Sequence, residues 1–169
     1  MANPARQRKR IRGAAMIEFT LCAIPLIFVI VSIAGMSMTM WNYHTLAEAA
    51  KVTVREAAVH GAGCVGQTCA WTLGTAATLL SSQAIGISPS KLNVTFTSTG
   101  STQTCNPLNT CTSSTTAWPT LAANVAGTTD VSISVTYTPT EAIRMITDRG
   151  AAIFSPVTLA ATSRQMVEY

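Results

Sequence analysis

Charge is scarce in this sequence: Asp, Glu, Lys and Arg make up 11% of its 169 residues, well below the roughly 25% usual in soluble globular domains. Apolar residues fill 48%, an excess that argues against a purely cytosolic soluble domain. The length suits one modest domain. Positive charge is local rather than general. Arg6, Arg8, Lys9, Arg10 and Arg12 lie in the first thirteen residues with no acid among them, whereas residues 14–169 carry six basic and seven acidic groups. The body is near neutral and lacks the electrostatic footprint of a nucleic-acid-binding face.

Signatures of chemistry are missing as well. No phosphate-binding glycine loop, paired-carboxylate motif or nucleophile with an adjacent base stands out. The spacings Cys64-x4-Cys69 and Cys105-x5-Cys111 have no histidine pair near them. His44 and His60 are sixteen residues apart, roughly 24 Å along a helix, too far to share one ion. Enzyme, metal and cofactor readings all lose ground, although catalytic groups that meet only in space escape such a search.

What is present is concentrated at the N-terminus. From Phe19 to Met40 the run FTLCAIPLIFVIVSIAGMSMTM holds no charge, and as a helix it spans roughly 33 Å, enough to cross a bilayer. Trp41 and Tyr43 follow, at the position where amphipathic rings favour the interface. The Arg-rich leader puts the N-terminus in the cytoplasm by the positive-inside rule, so everything after Trp41 is expected outside it. A buried core helix is disfavoured by the length of the run. A cleaved signal peptide has small residues at Ser32 and Ala34, but the apolar run continues past them. An uncleaved signal anchor remains as the third reading.

Glu18 separates these readings. A carboxylate in an apolar segment costs up to about 2.5–3.5 kcal/mol at mid-helix and less near the interface. Just before it, Gly13 closes the basic leader and Ala14 follows, so that Glu18 is the fifth residue counted from Ala14. The sequence RIRGAAMIEFTLCAIPLIF resembles the class III signal of type IV pilin-like proteins. Within them it is most similar to the TadE-like minor pilins of the tight-adherence (Flp) pilus system. LAEAAKVTVREAAVHG, Leu46 to Gly61, resembles the alanine-rich segment with a late arginine in that family.

The resemblance implies that a prepilin peptidase cuts on the cytoplasmic side after Gly13, leaving Ala14 as the new N-terminus. It further implies that Glu18 receives the amine of an incoming subunit and helps set axial register. The implied partners are the membrane, prepilin peptidase, other pilin subunits and the pilus assembly machinery. The implied location is the bacterial inner membrane, single-pass, with the N-terminus cytoplasmic and the C-terminal domain periplasmic, and incorporation into an extracellular pilus that serves surface adhesion. A minor subunit or pseudopilin fits better than the major one, since the main subunits of these pili are much shorter and lack a sizeable head. Type II secretion pseudopilins carry an aromatic residue after the cut, where this chain has Ala14.

The chemistry can be stated apart from the family. Cutting after Gly13 removes five charges and creates an amine that Glu18 can neutralise, within one helix or between subunits, lowering the cost of burying both. The competing account is that Glu18 snorkels to the headgroups. Pro25 removes a backbone donor and is a candidate kink, of a kind that membrane helices tolerate.

The expected organisation is a basic leader over residues 1–13, a membrane-spanning and extended helix over 14–60, and an extracytoplasmic α+β head over 61–169. The helix should run to His60, since Gly61 and Gly63 offer a stop. A short amphipathic helix is expected over Trp71–Ile85, with Gly74 weighing against it. Leu92-Val94-Phe96 and Val131-Ile133-Val135-Tyr137 alternate with polar residues and read as strands of an antiparallel sheet. A capped helix is expected between Thr140 and Gly150, and a last strand over Val157–Val167. The uncharged, Ser/Thr-rich stretch Thr97–Thr129 reads as a surface excursion. Cys22 lies in the apolar run, while Cys64, Cys69, Cys105 and Cys111 fall in the oxidising compartment and suggest two disulfides. Three connectivities are open, and proximity favours Cys64 with Cys69 and Cys105 with Cys111. The alternative function is that of a signal-anchored envelope protein, an enzyme included, with an independent periplasmic domain. Such a protein keeps Met1.

Overall fold

The computed structural model describes residues 4–60, 71–119, 130–138 and 158–166, with side chains from residue 15 onward. Helix α1 spans Pro4–Val59 and passes through Pro25. The chain divides into two compact units, Met1–Met38 and Thr39–Tyr169. Together with a short helix and a four-stranded antiparallel sheet, this is an α+β protein with one candidate membrane span.

In the second unit, α1 contributes Leu46, Ala49, Ala50, Thr53, Val54, Ala57 and Ala58 as a buried stripe at three-and-four spacing. Four of the seven are alanine, and short side chains let a helix lie close to what it packs on. Thr53 is fully buried, and its hydroxyl donates to the Ala49 carbonyl at 2.8 Å. Glu48 and Lys51 form an exposed ion pair at 3.8 Å, and Glu56 lies 3.4 Å from His60 Nδ1 at the end of the helix. Such helix-surface pairs contribute only a few tenths of a kcal/mol, roughly.

Helix α2, Leu73–Gln83, starts at Thr72, whose hydroxyl accepts from the Thr75 amide. It buries Leu73, Gly74, Ala76, Ala77 and Leu80. Its end is a turn in which the Ile87 amide donates to the Ala84 carbonyl and Gly86 takes a φ of +83°. Strands β1 (Leu92–Ser98), β2 (Ser101–Cys105), β3 (Asp130–Tyr137) and β4 (Leu159–Met166) form one sheet in the order β2-β1-β3-β4. The register pairs Val94 with Val135 and Phe96 with Ile133. This aligns the apolar residues of β1 and β3 on one face and leaves Asn93, Thr95, Thr97, Ser132, Ser134 and Thr136 on the other. At the rim of β3 and β4, Arg164 Nη2 donates to the Asp130 carboxylate. This bond, then the charge itself, raises the guanidinium pKa further above its working range.

The stretch expected as a surface excursion is corrected by the structure. Its first part is strand β2, joined to β1 by the two-residue turn Thr99-Gly100, in which Gly100 has a φ of +80°. Cys105 at the end of β2, and Leu108 and Trp118 beyond it, are fully buried in the core. The reading failed because β2 is an edge strand of hydroxyl and amide residues, so no apolar alternation marks it. Residues 120–129 and the helix expected between Thr140 and Gly150 lie outside the described residues.

Trp118 packs its ring edge-on against Phe96, with centroids 5.1 Å apart at 73°. Its indole N–H is buried and meets no acceptor among the described residues, a loss of about 1–3 kcal/mol. We expect Trp118→Ala to destabilise the protein by about 3–5 kcal/mol. Trp118→Phe, which keeps an aromatic ring and removes the unmet donor, should cost far less. Denaturant unfolding followed by circular dichroism checks both, and equal losses would contradict this account of the packing.

Candidate functional site

The candidate site is the N-terminal part of α1, and its defining property is that its large apolar side chains from Met16 to Met40 are exposed among the described residues. Met16 is 77% exposed, Phe19 74% and Phe28, the most central aromatic, still 52%. Among the described residues this is the one helix long and apolar enough to cross a membrane, and its most apolar stretch is wholly unburied. Burying a large apolar side chain is worth about 1.5–3 kcal/mol. A helix apolar all round must therefore sit in lipid or against other proteins.

The polar atoms of the span are prepared for such surroundings. Thr20 donates its hydroxyl to the Met16 carbonyl, Ser32 to Phe28 at 2.8 Å and Ser37 to Ile33 at 2.9 Å. Just past the run, Thr45 does the same with Trp41 at 2.8 Å. Each hydroxyl is satisfied one turn back along its own helix, so it makes no demand on a lipid environment that has no hydrogen bonds to offer. Pro25 is the one interruption in this economy of bonds, because it has no N–H for the Leu21 carbonyl. The back-bonding was legible in principle, since Ser and Thr have few other partners inside an apolar helix.

Glu18 stands exposed on this surface. It lies four residues after Ala14 on one helix, a spacing at which side chains are neighbours, with about 5–6 Å between Cβ atoms. Gly13 and Ala14 belong to α1, and their own surroundings lie outside the described residues. Cys22 is an exposed free thiol of the same segment. Gly13, Ala14, Glu18 and Pro25 thus share one continuous helix.

The remaining predicted residues belong to the second unit. Cys105 and Cys111 are joined by a disulfide with Cα atoms 5.8 Å apart. Cys64 and Cys69 lie outside the described residues. The groove between α1 and α2, about 520 Å³, is lined in part by Val52, Glu56, Trp71, Thr75 and Leu79. Its carboxylate, Glu56, faces His60, whose Nδ1 also lies 3.0 Å from the Glu56 carbonyl and whose ring stacks on Trp71 at 5.0 Å. The pair therefore serves the end of α1.

Two features escaped sequence reasoning. Gly74 was expected to weaken α2, yet a Cβ there would lie 2.5 Å from the Ser114 carbonyl oxygen and 2.8 Å from that of Thr112. Glycine is what lets this loop close on the helix. Trp118, set in a polar stretch, is a core residue.

Comparison with known proteins agrees with the chemistry of the N-terminal segment. Residues 13–55 match the family model described as TadE-like protein. The match covers the apolar run and most of the buried stripe and stops short of α2 and the sheet. No curated protein and no solved structure matches the chain. The likeness links this segment to the tight-adherence (Flp) pilus system and to a place in the cell envelope.

If this helix is the anchor, Ile27→Arg should oppose insertion by about 2.5–3.5 kcal/mol. The fraction resisting alkaline extraction from membranes is expected to fall sharply, while Thr95→Arg, on the polar face of the sheet, leaves it unchanged. Equal retention of all three proteins would remove the helix from that role.

Proposed function

We propose that this protein is a minor pilin or pseudopilin that takes part in assembling a tight-adherence (Flp) pilus for surface adhesion. In this reading a prepilin peptidase removes the leader, residues 1–13, by cutting after Gly13. Residues 14–60 then anchor the subunit in the inner membrane and later pack it among other subunits, while residues 61–169 form a periplasmic head. The partners are the membrane, the peptidase, other pilin subunits and the assembly machinery.

The observation that carries the reading is Glu18, an exposed carboxylate four residues after Ala14 on a helix whose large apolar side chains between Met16 and Met40 are exposed. A free amine on Ala14 and the carboxylate of Glu18 neutralise each other, which lowers the cost of burying both in an apolar surrounding. Between subunits the same pair fixes one chain against the next along the filament. The exposed apolar surface supports this two-stage life, since lipid and neighbouring helices are interchangeable as solvents for it.

Glu18→Ala should leave processing and membrane insertion intact and abolish incorporation into filaments, as measured by immunoblot of sheared pili against the membrane fraction. Incorporation at the level of the unmodified protein would count against pairing at Glu18.

A further inference from the structure

The loop after β2 does more than connect. Its carbonyls form the N-terminal cap of α2: the Leu73 amide donates to Thr116 O at 2.8 Å and the Gly74 amide to Ser114 O at 3.1 Å. The Thr75 amide goes to the Thr72 hydroxyl and the Ala76 amide to the Thr72 carbonyl. The last of these is the first bond of the helix itself, and the three donors before it, on Leu73, Gly74 and Thr75, are met from outside the helical ladder, two of them by the loop. An isolated bridge between Thr72 and Ala117 and a bond from the Trp118 amide to the Trp71 carbonyl continue the seam. The root of this loop is Cys111, tied by its sulfur to Cys105 at the end of β2.

We infer that the Cys105–Cys111 disulfide is the latch that holds α2 onto the sheet, and that oxidation of this pair is a step the head completes before it can join an assembly. The inference rests on the reading above that the head lies outside the cytoplasm. The chemistry is thiol–disulfide exchange with a protein disulfide oxidant of that compartment. Cys105 is fully buried whereas Cys111 is half-buried, so Cys111 is the point of entry. Its thiolate attacks the oxidant's disulfide and forms a mixed disulfide. The Cys105 thiolate then attacks the Cys111 sulfur, closing the bond and releasing the oxidant as a dithiol. Two electrons pass from the cysteine pair to the oxidant, and the two thiol protons are accounted for on the oxidant's sulfurs.

Hydrogen exchange by mass spectrometry on the full-length protein in detergent tests the latch. In a Cys105→Ser, Cys111→Ser double variant, amides of 71–83 should exchange about tenfold faster or more, while those of β1 and β3 stay near their original rates. Gly74→Ala, which drives a Cβ against the Ser114 and Thr112 carbonyls, should loosen the same segment with the disulfide intact by mass. Unchanged exchange in 71–83 would overturn the latch, and so would uniform acceleration across α2 and the sheet, because the bond would then be a global staple. In cells the double variant should be cut after Gly13 as usual and be missing from sheared pili. Normal incorporation would overturn the assembly step. Failure of the unmodified chain to be cut would fault the pilin reading and leave the exchange result standing.

Discussion

The reading of the N-terminal segment follows from an apolar helix surface that is exposed among the described residues. The large apolar side chains from Met16 to Met40 are exposed among the described residues, so this surface needs an apolar surrounding. Lipid supplies one. The backbone is closed within the helix, and the hydroxyls of Thr20, Ser32 and Ser37 turn back onto their own carbonyls, so the only polar group on this surface carrying a full charge is Glu18. A carboxylate held where it is costly is stabilised by a compensating cation, and in the proposed function that cation is the amine that cutting after Gly13 would create on Ala14.

The second unit solves a different problem with different means. Its share of α1 buries four alanines together with Leu46 and Val54, while most of the larger apolar side chains come from the sheet, from α2 and from the segment after β2 that carries Leu108 and Trp118. Few charges are needed to specify it. Register is set by apolar pairs such as Phe96 with Ile133, and the helix starts and turns are closed by hydroxyl and carbonyl groups rather than by ion pairs.

How far this was legible in the sequence depends on where the information is stored. The apolar run, Glu18 and the residues before it are local patterns, and β1 and β3 alternate cleanly, so helix, sheet and candidate site could be read directly. Strand β2 could not, because an edge strand made of Ser, Thr and Gln has no hydrophobic face to announce it. Gly74 misled for a related reason: its value lies in the carbonyls of Thr112 and Ser114, some forty residues away, which no window along the chain contains. Trp118 hid in a stretch whose composition suggested solvent, although an indole that size is itself a signal of burial.

The central claim is that the leader is removed to create the amine that Glu18 meets. It is tested most directly by the intact mass of the protein recovered from membranes of a host that has a prepilin peptidase and of one that lacks it. A chain beginning at Ala14 only in the first host is the result this account requires. A chain that keeps Met1 in both would contradict it, leaving Glu18 without its amine and the helix as a plain anchor.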